Sequence, residues 1–303
     1  MMARALAAVF APLVLLGCPG EKKPDPSADA APSVSAAPSG PVNATPMPSA
    51  SIAAMLGADR LPAYSGPTGS IEGTVFVTGE PAPEVQEDFS KCPSGAKTYG
   101  KLFREGPPSP NGARPLADAL VGVTGYTGFY VPERREAKLV TIADCAFERR
   151  TIDVTFGQRL DIANKTPMLF APALSGALSP ALMVAPPNGD PVHLYPHKPG
   201  YYKLTDRFDS TFLKADVYVL LHPLHAVTDT GGHFRIDGMP VGTKLSLFTR
   251  LAAIGETAKE VEVLSGVVHK VDLTLTYSPP RDAGAPEGGR GKAKDAGPPL
   301  LLK

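Results

Sequence analysis

Short runs in which apolar and polar residues alternate, each bounded by Gly, Pro, Asn or Asp, fill the middle of the chain. Strict alternation places successive side chains on opposite faces of an extended backbone, so the pattern predicts half-buried strands rather than amphipathic helices. Candidate strands lie at 70–78 (SIEGTVFVT), 119–124, 138–142, 151–155, 159–163, 192–195, 200–204, 215–222, 233–236, 244–250, 258–264 and 267–275. Helical spacing is scarce, and only a weak turn is expected at 52–56 (IAAML). Many short strands without βαβ alternation predict an all-β protein built from antiparallel β-sandwiches, not an α/β enzyme fold.

Both ends of the chain lack this pattern. The opening MMARALAAVFAPLVLLGCPG carries Arg4 and then an apolar run over 5–16, which is too short to span a bilayer as a mature helix and reads as an export signal. Its end, Leu15-Leu16-Gly17-Cys18, resembles the lipobox of bacterial lipoproteins, in which the small residue marks the cleavage point and the thiol accepts lipid. The resemblance implies a signal peptide at 1–17 and acyl chains on Cys18. At roughly 0.8 kcal/mol per buried methylene, more than one chain anchors stably. Pro19, standing where inner-membrane retention uses Asp, favours the outer membrane, with the body periplasmic or surface-exposed. Residues 18–69, rich in Pro, Ala, Ser and Gly, are expected to be a disordered tether, and 278–303 a disordered tail.

Lys plus Arg and Asp plus Glu stand at 30 each, with no basic run, which argues against a nucleic-acid partner. No Gly-x-Ser-x-Gly elbow, His-Glu-x-x-His pair or phosphate-cradling loop is present, and Asp206 with Asp209 reads as a solvated turn. The expectation is therefore no catalytic residue, no cofactor and no enzyme activity. Cys92 and Cys145 fall in an exported chain, where pairing is the default, so a disulfide is predicted; two free thiols serving as metal ligands is the alternative.

The stretch HPLHAVTDTGGHFRIDGMPVGTKLSLFTR, followed by EVEVLSGVVHKVDLTL, resembles the carboxypeptidase regulatory-like, transthyretin-type sandwich. Gly69-Ser70-Ile71-Glu72-Gly73-Thr74-Val75 resembles its first strand, so that domain is possible as a discontinuous one. The middle resembles cupredoxin-like domains through Asp144-Cys145-Ala146-Phe147, Phe156-Gly157-Gln158-Arg159-Leu160-Asp161-Ile162-Ala163-Asn164-Lys165-Thr166-Pro167 and the 215–229 stretch. The resemblance places Phe170 at the first copper-ligand His, Arg207 at the Cys, Ser210 at the second His and Leu213 at the Met. None of these side chains can build a blue-copper centre, which needs a thiolate and imidazoles, so the expectation is a degenerate, metal-free site. The expected division is a cupredoxin-like sandwich at 70–221, with 70–130 free to pair with the C-terminal domain, and a carboxypeptidase regulatory-like sandwich at 222–277.

Two histidine pairs, His193 with His197 and His222 with His225, raise copper binding or electron transfer as an alternative function. Residues three apart on a strand face opposite ways, which argues against it. Tyr126, Phe129-Tyr130 and Tyr201-Tyr202 are read as core or edge packing before they are read as an exposed contact patch. Together these features predict a membrane-anchored, non-catalytic binding or structural module of the bacterial envelope that contacts a protein or glycan partner.

Overall fold

The computed structural model describes residues 46–132, 136–176, 182–208 and 210–280. The export signal, Cys18, the first part of the tether, Asp209 and the tail beyond 280 lie outside the described residues. Among the described residues no helix is long and apolar enough to cross a membrane.

The chain runs through α1 (Ser49–Leu56), β1 (Thr68–Gly79), a 3-10 turn at Pro93–Gly95, α2 (Ala96–Tyr99), β2 (Arg114–Pro115) and β3 (Leu120–Thr124). It continues through β4 (Lys138–Ala143), β5 (Ala146–Phe147), β6 (Thr151–Thr155), β7 (Leu160–Asn164), β8 (Pro172–Leu174), β9 (Val192–Leu194), β10 (Gly200–Asp206) and β11 (Lys214–Leu220). It ends with β12 (His225–Val227), β13 (His233–Pro240), β14 (Leu245–Leu251), β15 (Gly255–Val261), β16 (Val268–Lys270) and β17 (Leu273–Tyr277).

These strands make two β-sandwiches. In the first, β1 pairs with β13, β16, β17 and β2, facing a second sheet of order β12-β3-β14-β15. Alternation along β1 sends Ile71, Val75 and Val77 inward, where they meet Val121 and Val123 of β3, Leu245 and Leu247 of β14, and Leu273 and Leu275 of β17. The second sandwich stacks β6-β11-β10-β8 on β5-β4-β7-β9 around Ile142, Phe147, Val154, Phe156, Ile162, Phe170 and Val217. The all-β expectation holds, and most strand pairs are antiparallel. The pairs β1 with β16, β1 with β17, β6 with β11 and β4 with β7 are parallel.

The predicted disulfide forms between Cys92 and Cys145, with Cα atoms 6.2 Å apart. Asp144 and Cys145 both have positive φ, 48° and 57°, as a two-residue turn joining β4 to β5 requires. The bond ties that turn to the segment leading into α2, and the Phe147 N–H donates to the Tyr99 hydroxyl at 3.1 Å to pin the same helix.

Several boundaries differ from expectation. The tether does not extend to residue 69: α1 forms over the weak helical turn, its Ile52 packs against the second sandwich, Leu56 is buried, and Ala63 bridges to Tyr130. Apolar Ile52 and Leu56 gain burial there, which a Pro/Ser tether would not supply. Of the arrangements left open for 70–130, the one present has β1 and β3 joined to β12–β17, with the second sandwich inserted between them. The run 267–275 splits into β16 and β17 around Val271, whose N–H donates to Glu72 O. The run 258–264 shifts to β15, in register with β14 from Leu251↔Gly255 to Leu245↔Val261. The run 215–222 stops at Leu220, before a turn containing Pro223.

Two buried ionic knots lock the sandwiches together. Arg104 grips Asp118 with two charge-assisted bonds, Nε to Oδ2 at 2.6 Å and Nη2 to Oδ1 at 2.7 Å, and Oδ1 also accepts the Arg150 N–H at 3.0 Å. Arg149, beside it, donates Nη1 to Val227 O of β12 at 2.6 Å. In the other knot, Asp153 of β6 takes Lys138 Nζ on one oxygen and pairs with His225 Nδ1 on the other at 2.8 Å, while His225 Nε2 meets Thr155 Oγ1 at 3.1 Å. Burial raises the Asp153 carboxyl, but hydrogen bonding and charge from His225, then Lys138, outweigh it and hold the carboxyl far below the usual range.

Candidate functional site

The four positions aligned with copper ligands gather around one loop but differ in character. Phe170 and Leu213 are buried in the second core at 0% and 1% exposure, and Phe170 bridges to Ala185. Arg207 is exposed, with its N–H donated to Ala171 O, while Ser210 is buried and its carbonyl accepts the Leu213 N–H. Asp206, read from sequence as a solvated turn acid, organises this loop: its carboxylate accepts the Ala171 N–H at 2.7 Å and the Ser210 N–H at 3.3 Å.

The histidines form no common centre. His193 Nδ1 pairs with Asp161 Oδ1 at 2.7 Å, and the rings of His222 and His225 lie 6.4 Å apart across the junction turn. The opposite-face expectation for this last pair fails because the strand has ended, and the turn brings both rings to the junction, with His225 fully buried and His222 half-buried. Among the described residues no group of three or more His, Cys, Asp or Glu side chains is placed to hold a metal ion.

A pocket of ≈ 450 Å³ lies instead on the outer face of the β12-β3-β14-β15 sheet. Cross-strand register builds its floor in rows: Leu120 beside Arg250 beside Glu256, Gly122 beside Phe248 beside Ala258, and Thr124 beside Ser246. Gly122 is required here, because a Cβ at that position would sit 2.5 Å from Phe248 Cζ, and without one the ring lies flat across the strand. Gly125, at φ 98°, then turns the chain off β3 and back over the floor. That return makes an aromatic wall, with Tyr126 stacked on Phe129 at 5.2 Å and edge-on to His222 at 5.8 Å. Leu220 to His222 from the inserted sandwich close the far side, and Leu56 and Leu61 close the top.

Such sheets usually offer solvent a polar outer face; this one offers an apolar bowl with a few polar groups. His222 Nδ1 is buried without a hydrogen-bond partner among the described residues. Burial, then the charge of His225, pulls the His222 ring down to about 3, so it is neutral at ordinary pH. Burial alone raises the Tyr126 hydroxyl. Sequence reasoning assigned Tyr126 and Phe129 to packing and missed Phe248, Arg250, Leu56 and Leu61. The available signal was SLFTRL, which sends Phe248 and Arg250 outward while Leu247 faces the core.

A pH test follows from His222. Its unfolded-state value of 6.5 lies above the folded one, so the unfolded chain binds more protons between the two, and stability falls as pH drops from 6.5 toward 3. Between about pH 6.5 and about pH 4.5 this one group should remove roughly 2–3 kcal/mol. Urea unfolding of His222→Phe is expected to show a shallower slope than wild type over that window. Parallel slopes would place the acid sensitivity elsewhere.

The described chain is thus an all-β protein of two interleaved sandwiches with an apolar pocket at their junction. Among solved structures it is similar to cupredoxin-like proteins. These include an amicyanin variant in the Cu(I) state (22% identity, TM-score 0.24, 27% of this chain and 81% of that one) and amicyanin from Paracoccus versutus (15%, 0.25, 32% and 97%). A copper-containing nitrite reductase from Thermus scotoductus SA-01 shows 15% identity and a TM-score of 0.24 over 31% of this chain and 24% of that one. No known protein family matches the chain. No curated protein matches it.

Proposed function

We propose that the chain is a non-catalytic binding module of the bacterial envelope, anchored to a membrane through a lipidated Cys18, with the junction pocket as its binding site. The observation that carries this reading is the pocket itself. Its ≈ 450 Å³ falls within the roughly 300–1,000 Å³ of small-molecule sites, and it pairs apolar walls with a few convergent polar groups. What fits is a compact apolar group, either a free ligand or a side group presented by an envelope protein or glycan partner. Copper binding through the histidines draws no support from a His193 already paired with Asp161, or from a His225 engaged at both nitrogens.

The neutral, polarity-sensitive fluorophore N-phenyl-1-naphthylamine tests the reading. Saturable enhancement at one equivalent is expected with the wild-type body. The rim substitution Ala258→Trp, at an exposed position lining the pocket, should weaken it by about tenfold or more, corresponding to one blocked contact surface. No saturable enhancement, or equal binding by Ala258→Trp, would remove the pocket from the account.

A further inference from the structure

Arg250 stands out on the pocket floor. Its side chain is only 10% exposed, yet the ion pair it makes is a single long contact, Nη1 to Glu256 Oε2 at 3.4 Å, with a carboxylate that is itself 55% exposed. A buried guanidinium is costly unless closely paired, and its planar fork is matched by a carboxylate bound through two oxygens. Arg250 also lies 5.9 Å from the centre of the Tyr218 ring and shares a side-chain hydrogen bond with that neutral phenol, so Glu256 is the one carboxylate with which it forms an ion pair among the described residues. The same pocket contains the His222 ring with its partnerless buried Nδ1. The site thus has a cation, an unmet polar nitrogen and a broad apolar surface set by Phe248 and Tyr126.

We propose that the pocket takes a small monocarboxylic acid with an apolar body. The body lies against Phe248 and the Tyr126 wall, and the carboxylate meets Arg250 in place of the loosely held Glu256. This deepens the binding reading above and rests on it. A single guanidinium suits one negative charge better than a phosphate dianion. Leu120, Phe248 and Ala258, in turn, give the body of the acid an apolar surface beside the guanidinium. Glu256 acts as an internal competitor, occupying the guanidinium when the pocket is empty and swinging to solvent when it is filled.

The test uses the soluble body with N-phenyl-1-naphthylamine bound, displaced by dodecanoate or 2-naphthoate, each beside its methyl ester. One of the two acids should displace the dye at about tenfold lower concentration than its ester, as one charge-assisted pair would give. The body shape that wins separates an acyl chain from a planar aromatic acid. Glu256→Gln, at an exposed position that should not disturb folding, is expected to tighten the acid relative to its ester by about three- to tenfold. Arg250→Gln should erase the preference for acid over ester, and Arg250→Lys should restore part of it. If the dye binds but acid and ester compete equally, or Glu256→Gln weakens the acid, the carboxylate proposal is wrong and the pocket reading stands. If the dye does not bind at all, both fall.

Discussion

Replacing Asp153 with alanine is expected to destabilise the body by about 3–5 kcal/mol, because it leaves the buried His225 and the half-buried Lys138 without their carboxylate partner. The carboxylate is 4% exposed and lies between Lys138 on β4 and the fully buried His225 on β12. β4 and β6 belong to the inserted sandwich and β12 to the other, so the loss would also loosen the junction where the pocket sits. Asp153→Asn keeps a hydrogen-bonding oxygen and should cost clearly less. The folded-state carboxyl is depressed, so its contribution is present above the unfolded value near 4 and is lost as pH falls below it. That window lies below the one assigned to His222, so the two can be separated in one series of urea titrations. A cost under about 1 kcal/mol for Asp153→Ala would mean that the knot is solvated rather than buried.

Removing the disulfide should have an effect of similar size. Cys92 and Cys145 are 53 residues apart, and closing a loop of that length restricts the unfolded chain by about 4 kcal/mol in the chain-entropy model. The crosslink acts there with two hydrogen bonds, the Phe147 N–H donated to the Tyr99 hydroxyl and the Ser94 hydroxyl donated to Asp144 O at 2.9 Å. The double variant Cys92→Ser, Cys145→Ser is therefore expected to melt well below wild type in non-reducing buffer, and reductant should lower wild type toward it. Equal melting temperatures would show that the loop is held by packing alone.

Strand positions were legible because alternation is a local property. Ile71, Val75 and Val77 announce β1 without reference to any partner. Partners were not legible: nothing in the period of β1 records that its neighbours lie about two hundred residues away in β16 and β17. β2, β5, β8 and β12, of two or three residues each, escaped because they are too short to show a period, and they exist through pairing. The loop holding Phe170, Ser210 and Leu213 was half legible. The apolar fate of Phe170 and Leu213 followed from residue type, while the role of Asp206 depended on backbone N–H groups that the sequence does not place. The pocket was least visible, since it is made by one sandwich covering the other's outer face. Only Gly122 opposite Phe248, and an Arg on an outward position, hinted at it.

Amide chemical-shift mapping during titration with the neutral fluorophore distinguishes binding at the junction of the sandwiches from binding at the loop that holds Phe170 and Leu213. Saturable shifts are expected at Gly122, Gly125, His222 and Phe248, with Phe170 and Leu213 unmoved. Shifts centred on Phe170 and Leu213, or no saturable shifts at the junction, would contradict binding at the junction.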